Sequence, residues 1–180
     1  MKIETKKEFE RARERLRGRD SDSLAAFLMS LALDSGPVGE QVRTFIVGDD
    51  LAETEESIRQ RIRGLSIPSE YEHRHSLGRE MGVSLDFIVD SVERLVLPID
   101  ANAAFQLLAA VFEADQLAME SCGEHDWEVA CAYRRAAAVM AESARNLPRS
   151  EVEERVRALV DGDAYGVRAE LVSVLLEEQK

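Results

Sequence analysis

Apolar residues recur at helical spacing along most of the chain, most clearly between residues 98 and 147. Across residues 101–122 the apolar residues lie three or four positions apart, and the neighbouring row of the helix surface is also apolar. This pattern is typical of a helix that other elements contact on several sides. A narrower stripe returns through Val129, Tyr133, Ala136, Met140 and Leu147. The pattern predicts a central hairpin of two long antiparallel helices, with Asp100 as the first N-cap.

Shorter helices are predicted before the hairpin. Residues 5–17 form a highly charged helix, and an apolar helix capped by Asp20, Ser21 or Asp22 follows it. The predicted core face of that second helix consists of Leu24, Phe27, Leu28, Leu31 and Ala32. Further helices are expected over residues 38–46, 51–65 and 76–97, the last of them bent near Gly82.

Two more helices are predicted after the hairpin, one from Ser150 to Val160 and one from Tyr165 to Glu178. No stretch shows the alternation of a strand. We therefore predict one all-α domain over residues 1–180, with antiparallel helix pairs in a compact bundle or short α-superhelix of about seven to nine helices. Residues 1–19 are expected to pack loosely.

Charge and composition argue against two classes of function, nucleic-acid binding and membrane association. The net charge is −12, and residues 1–19 carry +4 of it, so the remainder carries −16. This balance argues against direct nucleic-acid binding, which needs excess Lys and Arg. The sequence shows neither a signal peptide nor an apolar run long enough to cross a bilayer. We expect a cytoplasmic protein with reduced cysteines and no membrane association.

Asp115 is the one carboxylate on the apolar seam of the first hairpin helix. A buried carboxylate needs a charged partner or a shifted pKa. Pairing two straight antiparallel helices about the 122–126 turn predicts contact with Arg134 or Arg135. This contact could fix the register of the bundle or belong to a polar pocket.

Two groups of residues have the chemistry of metal ligands. Cys122, His125 and Cys131 surround the predicted turn, but they lack a fourth ligand and the usual zinc spacing. Glu70-Tyr-Glu-His-Arg-His75 contains Glu-x-x-His twice, but in one segment rather than on two helices. We therefore expect no metal and no cofactor. His125 and Trp127 are expected to pack the turn or, as the alternative, to offer one exposed aromatic for contact.

The run Asp161-Gly-Asp-Ala-Tyr-Gly-Val-Arg168 is the most distinctive short stretch. Asp163 is predicted to cap the last helix, with Tyr165 and Gly166 in its first turn. Gly166 would let another helix approach closely. Arg168 would reach Asp161 or Glu170. A surface that a partner recognises is the alternative role for this run.

This run, with VLPIDANAAFQLLAAVFEAD and HDWEVACAYRRAA, resembles an uncharacterised family of bacterial all-helical domains, over residues 71–177. Some family members follow a SWIM-type zinc finger, whose Cys-x-Cys and Cys-x-His ligands are missing from this sequence. The nucleic-acid role of that finger is therefore not transferred. The resemblance implies a helical fold and a bacterial or phage origin, and it implies no activity.

The sequence contains no motif of a known catalytic site, and its three histidines are scattered. The leading hypothesis is a non-enzymatic protein-interaction or scaffolding module with an unidentified protein partner. One alternative is an acidic inhibitor that mimics nucleic acid and binds a bacterial or phage-defence protein. The other is a helical bundle that binds a metal or small molecule. The amphipathic last helix makes a homodimer plausible.

Overall fold

The computed structural model describes residues 6–33, 37–46, 50–65, 74–122 and 127–171. Nine α-helices lie in these ranges: α1 (Lys6–Arg17), α2 (Ser21–Ala32), α3 (Pro37–Ile46), α4 (Leu51–Arg63), α5 (Arg74–Ser91), α6 (Ala101–Glu113), α7 (Asp115–Cys122), α8 (Trp127–Ala144) and α9 (Arg149–Asp161). A π-helical turn, Val92–Val96, extends α5, and a 3₁₀ turn covers Arg168–Leu171. No strand occurs in the described ranges. The all-α prediction is confirmed.

The chain divides into two compact units, residues 1–42 and 43–180, with the boundary inside α3. The prediction of a single domain stays a prediction. In the first unit, Asp20 accepts a hydrogen bond from the Ser23 backbone N–H at 2.8 Å, which confirms it as the N-cap of α2.

The predicted core face of α2 is confirmed except at Phe27. Ala32 is buried and Leu24, Leu28 and Leu31 are half-buried, whereas every other residue of α2, including Phe27 at 58%, is exposed. Helical spacing therefore identified the more covered side of this helix.

The 43–180 unit is a helical bundle with one hydrophobic core. The core side chains of α4 include Ile58 and Ile62, those of α5 include Leu85 and Val89, and those of α9 include Val152 and Val156. The centre combines α5, α6 and α8, since α8 packs on both α5 and α6. Phe112 of α6 and Tyr133 of α8 meet with ring centroids 5.4 Å apart.

The predicted helix over residues 101–122 is interrupted at Ala114. It begins as expected at Asp100, which accepts from the Ala103 backbone N–H at 2.9 Å. Ala114 lies outside the α region, with φ −88° and ψ 7°, so α6 ends at Glu113 and α7 starts at Asp115. Beyond the break, α7 packs mainly on α5. The turn at residues 123–126 lies outside the described residues.

Gly82 brings α5 and α8 together. A Cβ atom placed on Gly82 would lie 2.6 Å from Glu128 Cβ and 2.8 Å from the Glu128 carbonyl carbon. The two backbones therefore cross at a distance that only glycine permits. The helix continues without interruption through this crossing to Ser91. The predicted bend near Gly82 stays a prediction.

Candidate functional site

Asp115 is buried, 1% exposed, and its partner is Arg168. Arg168 Nε and Nη2 donate to the two carboxylate oxygens at 2.7 and 2.6 Å, the bidentate geometry of a strong Arg–carboxylate pair. Arg168 Nη1 also donates to the Leu159 carbonyl at 3.1 Å. Hydrogen bonding to Asp115 raises the pKa of Arg168, against the opposing effect of burial. The prediction that Asp115 is buried with a charged partner is confirmed.

The predicted pairing of Asp115 with Arg134 or Arg135 is wrong, because these two arginines make other contacts and Arg168 reaches Asp115 instead. The predicted contact of Arg168 with Asp161 is not formed, and the Glu170 side chain lies outside the described residues. The pairing argument assumed one straight helix from 101 to 122. Because α6 ends just before Asp115, that helix no longer runs alongside α8 to the turn.

Asp163 organises the loop that presents Arg168. Its carboxylate accepts the backbone N–H groups of Tyr165, Gly166 and Arg168 at 3.2, 2.8 and 3.1 Å. The prediction that Asp163 accepts backbone N–H groups is confirmed. The prediction that Tyr165 and Gly166 start a helix is wrong, because the helical turn begins at Arg168.

Gly166 has a different role from the one predicted. It has φ +77°, and nothing lies within 4 Å of an added Cβ, so it supplies left-handed backbone rather than room for a helix. The phenolic oxygen of Tyr165 donates to Glu120 Oε1 at 3.1 Å. The part of the predicted last helix beyond Leu171 lies outside the described residues. The Asp115–Arg168 pair therefore connects the loop before Arg168 to α7 and α9. The described hydrogen bonds of this site hold these three elements together.

Arg135 anchors α8 to α5 through three carboxylates. Its guanidinium donates to Asp86 Oδ1 at 2.7 Å, Asp90 Oδ1 at 3.0 Å and Glu93 Oε2 at 2.6 Å. Burial of the guanidinium disfavours its charged form and by itself lowers its pKa. The three carboxylates outweigh that effect and raise the pKa of Arg135.

An open groove lies beside this network. It has a volume of about 560 Å³, and α5 and α8 form its two walls. Its apolar lining includes Val83 and Phe87 on α5, and Trp127, Cys131 and Ala132 on α8. Asp86, Glu128 and Arg135 supply its polar groups. Grooves of this size with a few polar groups are typical of binding sites.

Trp127 is the exposed aromatic group of the groove. It is 66% exposed, which agrees with the alternative of an exposed aromatic rather than with packing against the turn. Contact of this aromatic with a partner stays a prediction. The Arg134 guanidinium carbon lies 5.1 Å from its ring centroid, within the range of a cation–π contact. This stacking orients the indole while leaving most of it accessible to solvent.

Sequence reasoning missed the α5 side of this groove. Val83 and Phe87 look like ordinary members of an amphipathic helix, and only the crossing at Gly82 brings them beside Trp127. Gly82 was the available signal, since a glycine inside a helix often marks close packing. Asp86 and Glu93 were also missed, because their role depends on Arg135 of a distant helix.

The metal-ligand candidates are not assembled in the described residues. No group of three His, Cys, Asp or Glu side chains suited to a metal occurs there. Cys131 is a free thiol that lines the groove. His125 and residues 66–73 lie outside the described residues, and so do the side chains of His75 and Cys122. None of the described helices combines the length and apolar character needed to cross a bilayer.

Comparisons of the chain with protein-family models, with curated protein sequences and with solved structures give no match.

Proposed function

We propose that this chain is a non-enzymatic, cytoplasmic protein-interaction module, and that it binds its partner at the groove between α5 and α8. The observation that carries the proposal is the exposed Trp127 at a groove of about 560 Å³ with an apolar floor. Tryptophan is enriched among residues that dominate binding energy at protein interfaces. A monomer gains no stability from leaving such a residue in water.

The shape of the groove favours a macromolecular partner. Two helices line it, and much of its length is open rather than enclosed. A helix or extended segment of another protein can lie along such a groove, burying the indole and the side chains of Val83 and Phe87. Arg135, fixed by three carboxylates, keeps the two walls in place, so the groove is formed before the partner arrives.

The test is capture of partners from a bacterial lysate by three tagged proteins: the native chain, Trp127→Ala and Ile99→Ala. Ile99 is a matched control because it is 62% exposed and lies outside the groove. Bound proteins are quantified by mass spectrometry after a wash at physiological salt. Since truncating an interface tryptophan can cost about 2 kcal/mol or more, recovery on Trp127→Ala should fall by more than about tenfold.

The outcomes separate clearly. A protein retained by the native chain and Ile99→Ala but lost from Trp127→Ala supports the proposal. Equal recovery on all three proteins, or no specific partner at all, overturns it. Circular dichroism confirms folding of Trp127→Ala, which an exposed position should not disturb.

A further inference from the structure

The acidity of the chain is concentrated in the unit that contains the groove. Residues 1–42 hold eight basic and eight acidic residues, so the whole net charge of −12 belongs to residues 43–180. A net charge of this size favours approach of a positively charged partner and disfavours an acidic one.

Each wall of the groove carries a carboxylate. Asp86 on α5 and Glu128 on α8 both line the groove. Arg135 is already shared among Asp86, Asp90 and Glu93, and Asp90 also pairs with Arg94 at 2.8 Å. Among the charged residues that line the groove, the two carboxylates of Asp86 and Glu128 outnumber the one guanidinium of Arg135. The groove therefore has a mainly apolar lining with a net negative charge.

An apolar groove with a carboxylate on each wall is complementary to one kind of segment. We propose that the groove binds an amphipathic helix of the partner protein, with lysine or arginine on both sides of its apolar stripe. The stripe would pack on Val83, Phe87 and Trp127, and the flanking cations would lie near Asp86 and Glu128. This inference rests on the proposed function and adds the chemistry of the partner.

Trp127 supplies a direct readout, because it is the only tryptophan in the chain. The probes are two synthetic helical peptides without tryptophan, both with leucine at positions i, i+3, i+4 and i+7. One peptide has lysine beside the stripe, and the other has glutamate at the same positions. Titration of each peptide into the full-length protein is followed by the Trp127 emission spectrum.

We expect a saturable blue shift with the lysine peptide, because the indole loses contact with water. The glutamate peptide should bind at least about tenfold more weakly, since like charges across an interface are strongly disfavoured. Added salt should weaken binding of the lysine peptide several-fold. Equal binding of both peptides, or no saturable shift with the lysine peptide, would overturn the inference.

Charge reversal at one residue gives a second test. Glu128→Lys should weaken the lysine peptide about tenfold and strengthen the glutamate peptide. A partly unfolded protein would lose both. Glu142→Lys is the matched control, because Glu142 is also exposed on α8 but does not line the groove. Equal effects of the two reversals would contradict the proposed location.

The two proposals can fail separately. If Trp127-dependent capture of a partner succeeds and the peptides show no preference for lysine, only the inferred partner chemistry is wrong. If partner capture does not depend on Trp127, the proposed function itself is wrong.

Discussion

Arg168 lies 53 positions after Asp115 in the chain, yet its Nε and Nη2 donate to both oxygens of the Asp115 carboxylate at 2.7 and 2.6 Å. Both side chains are largely buried, at 11% and 2% exposure. Removing either partner would leave an uncompensated charge inside the protein. Replacing one partner therefore costs more free energy of unfolding than the intact pair contributes relative to two apolar residues of similar volume.

Asp115→Ala should lower the free energy of unfolding by about 3–5 kcal/mol, because it leaves the Arg168 guanidinium buried without its anion. Urea unfolding followed by circular dichroism measures the change. Glu113→Ala is the control: Glu113 pairs with Arg155 at 2.8 Å in an exposed position, and its loss should cost about 1 kcal/mol or less. Replacing both residues, as Asp115→Leu with Arg168→Met, should recover much of the loss. Equal effects of Asp115→Ala and Glu113→Ala would contradict this interpretation.

Gly82→Ala should destabilise the 43–180 unit by about 1–3 kcal/mol, because the new methyl group overlaps the backbone and Cβ of Glu128. The same change should alter the Trp127 emission spectrum as α5 and α8 separate. Gly18→Ala serves as the control, since its Cβ would meet only ordinary contacts at 3.7 Å. A Gly82→Ala protein with native stability and emission would show that the two helices adjust without cost.

Gly166→Ala should cost about 1–2 kcal/mol, the penalty of left-handed backbone for a residue with a Cβ. No steric overlap contributes, because nothing lies within 4 Å of the added atom. Gly166→Asn should cost less, since asparagine tolerates this conformation better. Thermal unfolding of the three proteins checks the order. If asparagine is no better than alanine, left-handed backbone is not the cause.

Asp20 should titrate below its ordinary pKa of 3.8, because its carboxylate accepts from the backbone N–H and the hydroxyl of Ser23. A carboxylate with a lowered pKa in the folded state stabilises that state above the unfolded pKa. This contribution is lost as the pH falls through the folded pKa. NMR titration of the Asp20 carboxyl carbon measures the midpoint. Ser23→Ala should raise the midpoint while leaving the backbone donor, and an unchanged midpoint would argue against the side-chain contribution.

Local features were predictable because their causes are local. The caps at Asp20 and Asp100 follow from short polar side chains just before apolar periodicity. The stripe from Val129 to Met140 is buried as predicted because helical spacing alone places it on one face. Asp163 also bonds within five residues of its own position.

Contacts between distant elements were not predictable in the same way. Alanine is a strong helix former, so nothing in the local sequence marks Ala114 as the end of α6. That one interruption invalidated the register from which the partner of Asp115 was inferred. The groove beside Trp127 depends on how closely α5 and α8 cross at Gly82, a distance that periodicity does not specify.

The two carboxylates that hold the Arg168 region differ in the length of chain they close. Asp163 joins residues within five positions, whereas the Asp115–Arg168 pair closes a segment of 53. Loop-closure entropy grows with segment length, so the Asp163 loop can form early in folding, before the bundle is complete. Contact between Arg168 and α7 requires the 53-residue segment to close, so we expect it to form after the Asp163 loop.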